Sequence, residues 1–189
     1  MPKIVKDADI FLAVIQVITE RGYAGATTKQ MAEAGGVSEV TLFRKYGSKA
    51  QLVRQAISAI ADQTDFESAV HYTGDVTADL CRIVQKYQDS AVRYGLFFAT
   101  LLSEARRYPE LIDSMGTPVG IIKSIGQLVE RYQANGVLRK EHPLHAVTAL
   151  LGPLIYAGMI RSAVPEGLLP PLDLQDQVIR YLEGHRSDK

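Results

Sequence analysis

The stretch Thr27–Leu52, TTKQMAEAGGVSEVTLFRKYGSKAQL, decides the fold of this chain. It predicts two short helices joined by a tight turn, with a third helix directly after them. Thr27 can cap the first helix, and Gln30, three residues further on, completes a capping box. Gly35 and Gly36 end that helix, because glycine takes left-handed backbone angles at little cost.

The second helix of this stretch is predicted over Glu39–Tyr46. Ser38 is a good N-cap for it, and Gly47 ends it. Ser48 with Gln51 repeats the capping-box spacing for the helix that follows. A helix, a glycine turn and a second helix at this spacing form a helix-turn-helix, whose second helix enters the major groove of DNA.

Helical spacing divides the stretch into an inner and an outer face. The inner face holds Met31, Ala32, Val37, Leu42 and Tyr46, and the outer face holds Glu39, Val40, Thr41, Arg44 and Lys45. An exposed face with two basic residues and a threonine suits contact with phosphates and bases. The alternative is that Arg44, Lys45 and Lys49 are ordinary solvated charges. Because the caps, the turn and the basic face occur together, we favour DNA binding.

These residues resemble the N-terminal domain of the TetR family of transcriptional regulators. The resemblance lies in Thr27-Thr28, Met31-Ala32, Ala34 to Ser38, Thr41-Leu42-Phe43, Tyr46, Ser48-Lys49 and Leu52. Four positions differ from the usual pattern. Gly36 adds a glycine at the turn, Val40 stands where Gly is common, Phe43 replaces the usual Tyr, and Lys45 stands where His or Tyr is common. The rest of the chain is similar to the family only in length and helical character.

The resemblance implies an all-α protein with two domains. Residues 1–50 would form a three-helix helix-turn-helix DNA-binding domain, and residues 51–189 a helical domain for effector binding and dimerisation. The expected partners are double-stranded DNA, an unidentified small-molecule effector and a second copy of the chain. The expected activity is that of a repressor which the effector releases from a palindromic operator.

Nine residues are expected to face DNA. Thr28, Phe43, Lys45 and Lys49 would contact the backbone, and Lys29, Glu39, Val40, Thr41 and Arg44 would lie nearest the base edges. The charge distribution weakly supports DNA binding. Residues 1–50 hold seven Lys or Arg and five acids, whereas the whole chain has a formal net charge of zero. The basic excess therefore lies where DNA binding needs it.

Composition favours a soluble cytoplasmic protein with no membrane partner. Cys81 is the single cysteine, so no intrachain disulfide can form, which fits a reducing compartment. The N-terminus lacks a signal-peptide pattern, because acids interrupt its short apolar run. The longest mostly apolar run, Ala146–Ile160, is short for a membrane span and is interrupted by Pro153.

The remainder of the chain predicts further helices, about nine in total, and no strand. Gly95 is expected to divide one helix from the next, and Asn135-Gly136 to end a later one. Pro143 should open a helix that reaches about Ala163 and is irregular near Pro153.

Large apolar residues spread over several helices of the second part are candidates for a ligand pocket. They are Tyr87, Tyr94, Phe97, Phe98, Leu101, Met115, Tyr156 and Met159. They either line an apolar pocket between helices or form ordinary core. Arg93 and Arg161 are candidate countercharges for an acidic ligand.

The segment Leu144–Ser162 combines small residues with leucines and isoleucines, so that another helix can approach it closely. With the final helix, Leu174–Leu182, it predicts half of a four-helix dimer interface. Leu154 and Ile155 are expected at this contact. The alternative is that the segment is buried inside the monomer, and the family resemblance favours the dimer.

Little in the sequence indicates covalent chemistry. Glu141, His142 and His145 come nearest to a metal cluster, but zinc sites need three or four supported ligands. We therefore predict no enzyme, metal or cofactor, and interpret Glu104 as part of a solvated or interdomain ion cluster. The alternatives are a ligand-independent DNA-binding factor, and a helical enzyme or small-molecule carrier with no DNA role.

Overall fold

The computed structural model describes residues 5–187, and these residues form a helical protein. They contain nine α-helices and one short 3-10 helix. The α-helices are α1 (Asp7–Gly25), α2 (Thr28–Ala34), α3 (Glu39–Tyr46), α4 (Lys49–Thr64), α5 (Val76–Glu104), α6 (Glu110–Ser114), α7 (Gly116–Ala134), α8 (Pro143–Ala163) and α9 (Leu174–His185). The 3-10 helix is Phe66–Ala69, and one isolated bridge joins Leu138 to Arg186. The predicted all-α class and helix number are confirmed.

The chain divides into two compact units, and each unit consists of two separate segments of the sequence. The first unit combines the residues up to Gln63 with Leu96–Thr117, and the second combines Thr64–Gly95 with the residues from Pro118 onward. Helix α5 therefore contributes to both units. A functional boundary near residue 50 stays a prediction, because compactness does not show which residues bind DNA.

The first unit is built around the apolar faces of its helices. Helix α1 buries a stripe at helical spacing, formed by Ile10, Val14 and Ile18. The other helices bury Met31, Ala32, Leu42, Tyr46, Leu52, Val53, Ala56, Ile57, Ile60, Phe97, Leu101, Leu111 and Met115. Helices α2 and α3 have only seven and eight residues, too few to be stable alone. Their stability therefore comes from this burial, at about 1.5–3 kcal/mol for each large side chain.

The caps that delimit α2 and α3 are those that the sequence predicts. Thr27 and Gln30 form the full capping box at the start of α2. The Ser38 hydroxyl accepts from the backbone N–H of Thr41 at 3.1 Å and so caps α3. Gly47 ends α3 with a φ of 77°, a value that favours glycine. The orientation of α3 is thus fixed at both ends by local contacts.

Helix α5 differs from the prediction, because it is one helix of 29 residues and Gly95 does not divide it. A glycine inside a helix costs about 1 kcal/mol relative to alanine. The neighbours Tyr94, Phe97 and Leu101 are buried on the same helix, and their packing outweighs that cost.

The core of the second unit surrounds a buried carboxylate. Asp79 is fully buried and accepts hydrogen bonds from four donors. They are the backbone N–H and the hydroxyl of Thr73, at 2.8 and 2.7 Å, the Arg82 guanidinium at 2.7 Å and the Tyr132 hydroxyl. These bonds join the loop before α5 to α5 and α7. Around them pack Leu80, Ile83, Val84, Ile125, Val129, Leu150, Val178 and Leu182.

Helix α8 is apolar on two faces. Its inner face buries Ala146, Val147, Leu150, Leu151 and Leu154. Leu154, which the sequence placed at the dimer contact, is therefore core, because helical spacing turns it inward with Leu150.

The outer face of α8 leaves Ile155, Tyr156 and Met159 exposed by 42%, 67% and 51%. The helix has 21 residues and continues through Pro153. By length and composition it could cross a membrane, whereas the apolar run Ala146–Ile160 in the sequence was too short to do so. In the most apolar window of the helix, 28% of the residues are buried. A helix that is apolar all round needs cover on both faces.

Candidate nucleic-acid interface

Helix α3 presents an exposed face beside the glycine turn. Val40 is 77% exposed and Phe43 is 49% exposed. Glu39, Arg44 and Lys45 are also exposed. These side chains lie opposite Leu42 and Tyr46, which are buried. The predicted outer face thus exists as a surface, and contact with DNA through it stays a prediction.

Two hydrogen bonds order the polar side chains at the start of α3. The Thr28 hydroxyl donates to Glu39 Oε1 at 2.5 Å, which links the first turn of α2 to the first turn of α3. The hydroxyls of Ser38 and Thr41 lie 2.8 Å apart and share a hydrogen bond. Thr28 and Thr41 are half-buried, and these hydrogen bonds fix the orientation of their side chains.

The basic residues of this surface differ in their partners. Arg44 and Lys29 are exposed, and neither forms an ion pair with residues 5–187. Lys45 instead pairs with Asp7 at the start of α1, with both side chains 47% exposed. Hydrogen bonding from Lys45 lowers the pKa of Asp7. Arg44 and Lys29 are therefore the cations that are free to meet phosphate or base without breaking a contact.

Lys49 lies at the first position of α4, where the sequence predicts a phosphate contact. Its ammonium donates to the backbone carbonyl of Tyr23 and lies 4.1 Å from the centre of the Tyr23 ring. Burial lowers the pKa of Lys49, while the nearby charges of Glu104 and Glu110 act in the opposite direction. A phosphate contact would need this ammonium to leave Tyr23, and that role stays a prediction.

Glu104 was missed as a contributor to this region. It is not a solvated ion, because its carboxylate accepts from the backbone N–H groups of Tyr23 and Ala24 at 2.9 and 3.1 Å. Tyr23 and Ala24 lie 81 and 80 positions before it in the chain, so no local spacing could have indicated the contact.

The candidate pocket residues fall into three classes of exposure. Tyr94, Phe97, Leu101 and Met115 are buried, Tyr87 and Phe98 are half-buried, and Tyr156 and Met159 are exposed. They are divided between the two units. A pocket formed by all of them stays a prediction.

The two arginines proposed as countercharges also differ. Arg93 is exposed. Arg161, at the end of α8, has a buried Nε with no hydrogen-bond partner, and it forms no ion pair within residues 5–187. An unsatisfied buried donor costs about 1–3 kcal/mol, so Arg161 is the better candidate for an anion.

The histidines near α8 have structural contacts. His142 is the N-cap of α8 and accepts from the N–H of Leu144 at 3.3 Å. Glu141 lies 3.6 Å from His185 Nε2 and also contacts Arg139. The described part of the chain holds no group of three residues arranged to bind a metal ion.

Residues 10–56 match the model of bacterial regulatory proteins of the tetR family. An uncharacterized HTH-type transcriptional regulator of Bacillus subtilis, YvkB, is 35% identical over 78 residues. That alignment covers 38% of this chain and 37% of the relative's length. The family match includes the helix-turn-helix.

The helix-turn-helix segment of this chain is thus similar to that of TetR-family regulators.

Solved structures agree with this family's fold along almost the whole chain. A Clostridium perfringens protein named as a fatty acid metabolism regulator has a TM-score of 0.77 at 17% identity, covering 93% of this chain and 97% of its own. A TetR-family regulator from Mesorhizobium loti has a TM-score of 0.70 at 16% identity, covering 95% and 96%. At such identities the likeness concerns the fold.

Proposed function

We propose that the protein is a transcriptional regulator that binds double-stranded DNA through the outer face of α3. The observation that supports this is the capped α3 with Val40 and Arg44 exposed on it. Arg44 can donate to guanine or phosphate, and Val40 can contact a thymine methyl. Lys29 on α2 and Phe43 on α3 are also exposed. Lys29 would lie near the base edges, and Phe43 would contact the DNA backbone. Binding alone, without covalent chemistry, accounts for this activity.

Replacing Arg44 tests the proposal. Duplexes are first selected from a random-sequence pool with the wild-type protein, and affinity is then measured at several salt concentrations. Arg44→Ala should weaken binding to the selected duplex by about 1–3 kcal/mol and relax its sequence preference. The matched control is Arg93→Ala, which removes the same charge from an exposed position on α5, outside the helix-turn-helix. The proposal is contradicted if both variants lower the affinity equally, or if the wild-type protein enriches no sequence from the pool.

We infer further that the protein is a homodimer joined through the outer faces of α8 and α9. Ile155, Tyr156 and Met159 on α8 and Ile179 on α9 are exposed, and a second copy would cover them in a two-fold contact. A dimer would also place two copies of α3 for the half-sites of a palindromic operator.

Ile155→Asp should give soluble monomers, because it places a charge in the covered face. Leu154→Asp should instead unfold the protein, since Leu154 is buried. Sedimentation and circular dichroism separate these outcomes. The control is Gln55→Asp, which places the same charge at an exposed position of α4. A folded Ile155→Asp dimer would place the interface elsewhere.

We infer that the effector is an apolar molecule with an acidic group, and that it releases the repressor from DNA. The unpaired Nε of Arg161 supports the acidic group, because the edge of a guanidinium binds carboxylates through two parallel hydrogen bonds. The name of the Clostridium perfringens neighbour, a fatty acid metabolism regulator, agrees with such a ligand.

Dodecanoate and dodecanol form a matched pair of probes for the effector. Dodecanoate should raise the melting temperature and lower DNA affinity, whereas dodecanol should do neither. Arg161→Lys keeps the charge but loses the Nε donor and should reduce the response. If both probes act alike, the acidic group is not recognised. A regulator of this kind would be soluble and cytoplasmic, as its composition indicates.

A further inference from the structure

Helix α1 breaks at Gly22, where φ is 72° and ψ is 165°. A new helical turn starts after such a break, and its first N–H groups have no carbonyl partner in the preceding turn. Here the first two of these groups, on Tyr23 and Ala24, donate to the two oxygens of the Glu104 carboxylate. Glu104 thus caps this turn from the last position of α5.

Gly22 is fitted to this contact in two ways. Its positive φ is one that residues with a Cβ rarely adopt. A Cβ built at Gly22 would also lie 2.6 Å from Glu104 Oε1, so the flexible end of the Glu104 side chain would have to move away. The break in α1 and the approach of Glu104 therefore depend on the same glycine.

Tyr23 connects the contact to two further elements. Its carbonyl accepts from Lys49, the first residue of α4, and its hydroxyl donates to Glu110 Oε1 on α6 at 3.3 Å. Its ring packs against Tyr108, with 5.2 Å between the ring centres. Burial, and then the charge of Glu110, raises the pKa of Tyr23 to about 12, so the hydroxyl remains a donor.

We propose that Glu104 is a positioning residue for DNA binding, and this rests on the proposed function. The turn that Glu104 caps leads directly to Thr27, the N-cap of α2, and Lys49 begins the helix that follows α3. The Glu104 carboxylate therefore fixes the segment before the helix-turn-helix to the end of α5, and Tyr23 links this attachment to Lys49 on the other side. Because α5 is continuous from Val76, a shift of α5 along its axis moves this attachment. Movement of the end of α5 would therefore change the position of the helix-turn-helix.

Glu104→Gln tests this role with the full-length protein. The amide keeps one acceptor oxygen and turns an NH2 group, which is a donor, toward a backbone N–H. Hydrogen exchange at Tyr23 and Ala24 should accelerate. The affinity for a duplex selected by the wild-type protein, with both half-sites, should fall about tenfold, a typical magnitude for coupling between sites.

A duplex with only one of the two half-sites separates positioning from folding. Two half-sites must be met at a fixed separation, so a misplaced but folded α3 loses the two-site duplex and keeps the single site. Affinity for the single-site duplex should therefore change less than about threefold, in contrast to the tenfold loss. A merely structural role would lower both affinities alike.

One further variant and two controls accompany the test. Gly22→Ala should reproduce the Glu104→Gln pattern. Gly25→Ala should not, because Gly25 has no positive φ and a Cβ there would meet only Arg21 Cβ at an ordinary 3.6 Å. Asp62→Asn removes one charge from an exposed position of α4 and controls for net charge.

The proposal is overturned if Glu104→Gln keeps its amides protected, binds the two-site duplex like the wild type, or loses both duplexes equally. If the wild-type protein selects no duplex at all, the proposed function fails first and this role fails with it. A wild type that binds both duplexes, with a Glu104→Gln variant that behaves in the same way, overturns the role of Glu104 alone.

Discussion

Glu104 in the first unit and Asp79 in the second are both carboxylates that collect several donors, but their surroundings differ. Asp79 is fully buried, and two of its donors come from Thr73 and one from Arg82, close in the chain. Glu104 is half-buried and binds two amides that lie 81 and 80 positions earlier in the chain.

The difference in burial separates a permanent contact from a reversible one. A buried carboxylate that loses a donor leaves an uncompensated charge in the core, which is strongly unfavourable. A half-buried carboxylate can exchange a protein donor for water at little cost. Asp79 is therefore suited to hold the fold of its unit together, and Glu104 is suited to a contact that forms and breaks.

The largest effect is expected from Asp79→Asn. It breaks the pair with Arg82 and turns a donor toward other donors, so the free energy of unfolding should fall by about 3–5 kcal/mol. Glu104→Gln should lower it by about 1 kcal/mol. Urea unfolding measures both. Asp89→Asn, at an exposed position of the same helix as Asp79, should stay within about 0.5 kcal/mol of the wild type.

A smaller effect is expected from acid. Burial raises the pKa of Asp79, but hydrogen bonds from Tyr132, Thr73 and Arg82 outweigh it and lower this pKa from 3.8 to about 2. A carboxylate with a depressed folded-state pKa stabilises fully above its unfolded pKa and loses that contribution as pH falls. The contribution of Asp79, about 2 kcal/mol, should therefore disappear between about pH 4 and pH 2.

Comparing urea midpoints of the wild type and Asp79→Asn across this range isolates the contribution. The wild type should lose more stability than the variant below pH 4. Parallel curves for the two proteins would show that Asp79 does not carry the acid dependence.

The smallest effect is expected from Tyr23→Phe, for which Tyr132→Phe is the comparison. Tyr132→Phe leaves the buried Asp79 one donor short, so it should cost about 1–3 kcal/mol. Tyr23→Phe removes a hydroxyl that donates to the exposed Glu110, and it should cost less than about 1 kcal/mol. A larger loss for Tyr23→Phe would contradict the contrast between the buried and the half-buried carboxylate.

The parts of the fold that sequence predicts are those decided by contacts three or four residues apart. The cap at Thr27, the cap at Ser38 and the glycine that ends α3 are all local, and all are found in the structure. Helical spacing also predicts which residues of α3 face outward, and Glu39, Val40, Arg44 and Lys45 are exposed as predicted.

The parts that sequence missed depend on contacts between distant segments. Lys45 and Lys49 carry the expected charge, but their partners Asp7 and Tyr23 come from α1. Gly95 has the composition of a helix break, yet tertiary packing keeps α5 whole. Leu154 and Ile155 are adjacent and equally apolar, so periodicity on a helix that is apolar all round could not decide which of them is buried.

The discontinuous first unit limits how its helix-turn-helix can be exchanged by recombination. A fragment that ends near residue 50, or at the end of α4, leaves Leu96–Thr117 behind. It would join a new partner with the amides of Tyr23 and Ala24 uncapped. A functional chimera therefore needs either both segments from one parent, or an acceptor that supplies a carboxylate at the position of Glu104. Evolution by domain shuffling would have to keep Gly22 and Glu104 as a pair.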